Sequence, residues 1–178
     1  MEFDDYRIRL IEIIDLERYY LLIGNNRKRL EDFFTGTVSR TNSLEETKLF
    51  LEEIIKKSVE KTYFPFIVEN KKTKEIIGYI DIKNIDWNIS KAELGFYTDE
   101  KHTGKGLTST AFALITRYGF ENFGFKKLFL RTHQSNISAQ RLAEKCGFEI
   151  EGRIRRDYKT TKGEVVDLLY YGKLAEDE

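Results

Sequence analysis

Hydrophobic and polar positions change period several times along the chain. Residues 7–10 alternate basic and apolar side chains and predict a short strand. Leu16, Tyr19, Tyr20 and Ile23 follow at helical spacing, with Gly24 as the expected stop. Residues 25–34 predict a second short helix and residues 36–42 a loop. Ser43-Leu44-Glu45-Glu46 is a capping-box pattern ahead of a helix running to about residue 61. Strand patterns then take over at residues 65–69, 75–83 and 91–98. Leu107, Ala111, Leu114, Ile115 and Tyr118 mark a helix to about residue 121. A strand at 127–132, a helix at 137–145 and strands at 147–158 and 164–173, turned by Lys162-Gly163, complete the chain. Strand, helices, antiparallel meander, helix, strand, helix and hairpin make an α+β (mixed α/β) single domain over residues 1–178, with no internal repeat.

Composition narrows the function classes. With 40% hydrophobic residues the chain can build a real core. Basic and acidic residues balance at 30 each, so no direct nucleic-acid binding is expected. One cysteine, Cys146, allows neither an internal disulfide nor a cysteine metal cluster, and no metal is expected. The acidic opening MEFDDYRIRL has no apolar leader region, and no run approaches the ~18 residues of a membrane span. A cytoplasmic setting, with no membrane partner, is the expectation.

The stretch between residues 91 and 114 carries the chemistry. A strand ends in a polar loop holding Gly104 and Gly106, and a helix starts directly after it. Such a loop presents unpaired backbone N–H groups and a positive dipole end to an anion. The triphosphate-loop pattern fails, since Gly104-Lys105 is followed by Gly106 and no glycine stands five residues upstream. The dinucleotide fingerprint fails because its third glycine would fall on Ser109. By spacing alone the loop is either a pyrophosphate cradle or a bare turn.

Lys101-His102-Thr103-Gly104-Lys105-Gly106 resembles the acyl-CoA loop of the GCN5-related N-acetyltransferases, with Lys101 in place of the usual Gln or Arg. Ala92-Glu93-Leu94-Gly95-Phe96-Tyr97 resembles the family's fourth strand, and residues 136–148, NISAQRLAEKCGF, its asparagine-led helix. Glu151-Gly152-Arg153-Ile154-Arg155 with Asp167, and Asn26-Arg27 with Leu30, are similar to the branch that acetylates ribosomal-protein N-termini. Asp32-Phe33-Phe34-Thr35 stands where many of those relatives have a tryptophan-proline signature. The resemblance implies a twisted, mostly antiparallel sheet flanked by helices, its fourth and fifth strands splayed to admit acetyl-CoA. It implies backbone binding of pyrophosphate by His102, Thr103, Gly104, Lys105, Gly106 and Leu107, with a charge from Lys105 and a hydroxyl from Thr108. Phe96, Tyr97 and Thr98 would pair by backbone with the pantetheine arm, and Asn136 would bond it from the other side or serve as a helix N-cap.

Glu93 is the expected general base, with either it or Leu94 facing the cleft. The leaving-group acid is open: Ala143 stands where many relatives have tyrosine, and Ala139 where the ribosomal branch has serine. Cys146 and His133 have bland readings as packed and surface residues, and Arg153, Arg155 and Arg156 form a basic edge or a charged strand face. The expected activity is acetyl transfer from acetyl-CoA to an amine, foremost a protein N-terminus of ribosomal type. A small amine such as a polyamine, aminosugar or amino acid is the alternative, and a non-catalytic acyl-CoA-binding or sensing protein is the rival of another class. A homodimer is open by analogy.

Overall fold

A computed structural model describes residues 1–177. Its strands are β1 (Glu2–Phe3), β2 (Tyr6–Leu10), β3 (Phe64–Asn70), β4 (Ile76–Asp86), β5 (Lys91–Thr98), β6 (Lys127–His133), β7 (Glu149–Lys159) and β8 (Val165–Leu174). The helices are α1 (Leu16–Leu30), α2 (Thr35–Val38), α3 (Leu44–Val59), α4 (Leu107–Phe123) and α5 (Ile137–Lys145). All eight strands form one sheet in the order β1-β2-β3-β4-β5-β6-β8-β7. Every pairing is antiparallel except β5 with β6. The strand expected as fourth is β5 here, because the two-residue β1 was not foreseen.

Alternation along the strands sends side chains to two cores. Ile80, Ile82 and Leu94 join Phe112 and Ile115 of α4 and Ala143 of α5 on one face. Tyr79 and Tyr97 join Tyr19 and Ile23 of α1 and Leu51 and Ile54 of α3 on the other. Leu94 therefore belongs to the core, and Glu93 to the opposite face.

Three expectations are corrected near the N-terminus. Gly24 does not stop α1, which continues to Leu30: a Cβ there would meet nothing, and tertiary packing of Ile23, Asn26 and Leu30 overrides the weak helix preference of one glycine. The second helix of residues 25–34 is thus the C-terminal half of α1. The loop at 36–42 contains the short helix α2. Ser43 caps α3 through its Oγ as expected, but the Glu46 carboxylate reaches past it to the N–H of Asn42, 3.1 Å away.

A buried ionic knot ties β2, β3 and the start of α1. Asp15 is fully buried and holds Arg9 in a two-pronged pair at 2.7 Å, while Glu69, 1% exposed, takes Arg7 at 2.5 Å and Arg18 at 2.6 Å. Burial pushes the Glu69 carboxyl up, but the donors of Arg7, Arg18 and Arg9 outweigh it and hold the group below its ordinary value of 4.5. A depressed carboxylate contributes stability that is complete above its unfolded pKa and fades as pH falls through the folded one. Glu69→Gln removes the buried charge that three arginines share and leaves Arg7 without a carboxylate, while Arg9 and Arg18 keep Asp15, so it should lower unfolding free energy at pH 7 by about 3 kcal/mol. Urea melts at pH 7 and pH 3 should show the wild type losing its advantage over the variant at the lower pH.

Candidate active site

The sheet opens where its one parallel pair ends. β5 and β6 are in register only at Lys91–Lys127, Ala92–Leu128 and Glu93–Phe129. Beyond Glu93, residues 95–98 continue to pair with β4 but have no partner on the β6 side. The strands part around a cleft of about 910 Å³, lined among others by Glu93, Phe96, Tyr97, Thr98, Gly104 and Asn136.

The loop after β5 is an anion cradle in its backbone. His102 and Thr103 give their N–H groups to the Asp99 and Glu100 carbonyls in a tight turn, so those two donors are already engaged. No acceptor for the N–H groups of Gly104, Lys105, Gly106, Leu107, Thr108 and Ser109 is found among the described residues. Gly104 and Gly106 have φ of +78° and +79°, and a Cβ at either would stand in open space. Left-handed backbone with an unobstructed approach suits glycine and brings a diphosphate against the first turn of α4. The residues present therefore fit the pyrophosphate of CoA.

Neighbouring side chains fix this loop from both sides. Thr98 and Thr108 hydroxyls share a hydrogen bond of 2.8 Å, which ties the end of β5 to α4. Arg29 of α1 donates to the Thr98 carbonyl, and Asn26 accepts from the Glu100 N–H at 3.0 Å. Tyr97 points away, its hydroxyl donating to Tyr19 at 2.7 Å, so only its backbone faces the cleft. Burial, with Tyr19 and Tyr79 beside it, pushes that hydroxyl well up. Phe96 packs edge-on against Phe112 of α4. Asn136 caps α5 by accepting from the Ala139 N–H at 3.2 Å. Its amide nitrogen makes no bond among the described residues, so it is free to serve the cleft as well.

Glu93 lies on the cleft floor, 5% exposed. One carboxylate oxygen, Oε2, accepts from Asn84 at 2.6 Å and Arg131 at 2.9 Å, while Oε1 accepts no hydrogen bond among the described residues. Arg131 also holds Asp157 at 2.8 Å. Beside Glu93 lie residues that the sequence reading passed over. Asp81 is 7% exposed; its Oδ2 accepts from the Tyr63 hydroxyl, which shares a 2.9 Å bond with Tyr79. Burial and the charge of Asp81 push Tyr63 well up, which keeps it a donor. Burial alone would lower Lys83, but the carboxylates of Asp81 and Glu93 raise it, so it stays charged. The signal was present in Tyr79-Ile80-Asp81-Ile82-Lys83, a strand whose alternate positions are polar.

Other expected residues sort clearly. Ala143 is fully buried, while Ala139 and the adjacent Ser138 both line the cleft, as the first turn of α5 enters it end-on. His133 and Ser135 also line it, with Nδ1 and Oγ 2.5 Å apart. Cys146 lies outside the cleft lining, its Sγ 3.7 Å from the Ser109 carbonyl. Arg153 pairs with Asp167 at 2.6 Å, and the basic trio of β7 does not line the cleft. At the rim, the Tyr158 hydroxyl of β7 accepts from the Thr35 N–H and donates to the Thr35 hydroxyl, both at 2.9 Å.

Known proteins share this arrangement. The pattern described as "Acetyltransferase (GNAT) domain" matches residues 6–149. The chain belongs to the GNAT acetyltransferase family. As a member it is an acetyl-CoA-dependent N-acetyltransferase. It is 27% identical over 151 residues to the spermidine N(1)-acetyltransferase of Vibrio cholerae, covering 85% of this chain and 83% of the relative. An uncharacterized N-acetyltransferase p20 of Bacillus licheniformis is 29% identical over 109 residues, 61% of each chain. The ribosomal-protein-S5-alanine acetyltransferase of Vibrio fischeri superposes with a TM-score of 0.91 at 21% identity, over 99% of this chain and 97% of that one. RimL, a ribosomal L7/L12 α-N-protein acetyltransferase crystallised with coenzyme A, gives 0.89 at 17% identity over 99% and 97%.

Aspartate tolerates left-handed backbone, so Gly104→Asp tests the cradle by charge rather than strain. Calorimetry should show CoA bound at least tenfold more weakly than by Gly104→Asn, which has the same shape without the charge.

Proposed function

We propose that this acetyltransferase acts on the α-amine at a polypeptide N-terminus, of which ribosomal proteins are one source, with Glu93 as the proton acceptor. The observation that carries this reading is the cleft-floor position of Glu93, with Oε2 pinned by Asn84 and Arg131 and Oε1 left to accept. Bound at the loop, acetyl-CoA supplies an acyl thioester, and residues 104–109 would hold its pyrophosphate. The chain's part is to position and to move protons. The amine nitrogen forms the new bond to the acyl carbon as the carbon–sulfur bond breaks. Glu93 Oε1 receives the proton that the nitrogen sheds, directly or through water. Ser138, or the Ser135–His133 pair, lies on the cleft wall to return a proton to the departing sulfur.

Charge in the cleft favours a terminal amine over a polyamine. A pocket for several ammonium groups needs several unpaired carboxylates, yet of the four lining the cleft Glu53 holds Arg40 and, at 2.7 Å, Lys57, Glu93 holds Arg131 and Asp81 has Lys83 beside it, which leaves Glu100 alone without an ion pair among the described residues. Energetics point the same way: an α-amine of pKa about 8 is roughly 10% neutral at pH 7, against about 0.04% for a lysine near 10.4.

With wild type and acetyl-CoA, mass spectrometry should show a 42 Da gain on peptides carrying ribosomal-protein N-termini (on the order of one acetyl group) and none when those termini are blocked. Glu93→Gln should lower kcat by roughly 10²–10³ while CoA affinity stays unchanged. Acetylation of spermidine but no peptide would overturn the acceptor assignment. CoA binding without turnover above the uncatalysed rate on any amine would make the protein an acyl-CoA sensor.

A further inference from the structure

The floor of the cleft holds a carboxylate oxygen with nothing bonded to it. Asp81 lines the cleft, and its Oδ1, which has almost no exposed surface, accepts no hydrogen bond. Lys83 Nζ is 3.3 Å away, close enough for an ion pair but out of hydrogen-bond alignment. A buried acceptor left without a donor is costly, by about 1–3 kcal/mol, and is rare unless a ligand completes it.

Its placement over β5 is built by the backbone. Asp81 faces Gly95 across the β4–β5 pair, two rungs beyond the last contact of β5 with β6. A Cβ on Gly95 would lie 2.3 Å from Asp81 Oδ1 and 2.6 Å from Lys83 Nζ. Any side chain there would expel the carboxylate, so the bare glycine is what lets Asp81 lie at the mouth of the split. The Tyr63 hydroxyl fixes the other oxygen and so aims the carboxylate.

The local charge is also incomplete. Asp81, Glu93 and Asp157 are three carboxylates, linked through Lys83 and Arg131, which are two cations. Within that cluster one negative charge is left over, which an ammonium at Asp81 would offset. The same cleft is also lined by Phe33, Phe34, Phe50 and Ile54, which suit the apolar atoms of an acceptor.

We propose that Asp81 seats the acceptor: its Oδ1 takes a hydrogen bond from a single primary ammonium whose neighbouring atoms are apolar. This deepens the N-terminal-amine reading and rests on it for the choice of peptide. Asp81 is then a substrate-binding residue, and Tyr63 and Gly95 position it.

The test uses CoA-loaded protein and the peptide Ala-Phe-Ala amide, with its N-acetylated form and spermidine as comparisons. Asp81→Asn should weaken peptide binding by calorimetry at least tenfold and raise its KM equally, with kcat changed less than threefold and CoA affinity unchanged. The acetylated peptide should bind both proteins weakly and alike. If Asp81→Asn does not fold, Gly95→Ala, which pushes the carboxylate aside, and Tyr63→Phe, which frees it, should each raise the peptide KM severalfold. Peptide binding and KM within twofold of wild type in the folded variants would overturn the proposal, as would equal weakening of the acetylated peptide. Should wild type turn over spermidine alone, the peptide reading fails, and the same KM comparison with spermidine decides the role of Asp81.

Discussion

The parting of β5 from β6 is the constraint on which the rest depends. A strand that leaves its neighbour exposes a row of backbone donors and acceptors, and inside a protein these need partners. After three rungs the sheet stops supplying them. Everything around the opening holds it at one width: α1 grips the end of β5 through Arg29 and Asn26, Thr98 and Thr108 tie that end to α4, and Asn136 finishes the opposite wall. An amide-bearing arm laid between the strands would complete the missing pairing, much as an added strand does. The cleft is thus a defect in a sheet that the fold maintains.

Charge in the cleft follows a rule of local neutralisation. Nearly every carboxylate that lines it has a guanidinium or ammonium in contact, and buried pairs of this kind are costly to break. The V. cholerae spermidine acetyltransferase and the V. fischeri ribosomal-protein acetyltransferase both lie within reach of this chain by likeness. The scaffold is common to both kinds, so the fold by itself does not name the amine.

Much of this was legible in the sequence. Strand β5 and helix α5 fall at the expected residues, because alternation and a clean cap marked them: Asn136 before Ile137, and Thr98 before the polar loop. The glycine loop was legible as a loop feeding a helix, but which of its N–H groups stay without an acceptor was not. Hydrogen bonds from His102 and Thr103 to Asp99 and Glu100 depend on a tight turn that composition does not announce. Gly24 misled because its cost is local and its compensation, the burial of Asn26 and Leu30, is tertiary. Asp81 was missed for a related reason: a lone acid among isoleucines looks like an ordinary alternating strand until Gly95 is seen opposite it.

The bond between Tyr158 and Thr35 joins segments 123 residues apart across the rim of the cleft. No core lies behind it, and β7 is exposed along nearly its whole length. Two hydrogen bonds of about 1 kcal/mol each hold such a rim by about 2 kcal/mol, so roughly one molecule in thirty has it parted at any instant. An acceptor that needs the rim open would then associate at about a thirtieth of its full rate, with no unfolding.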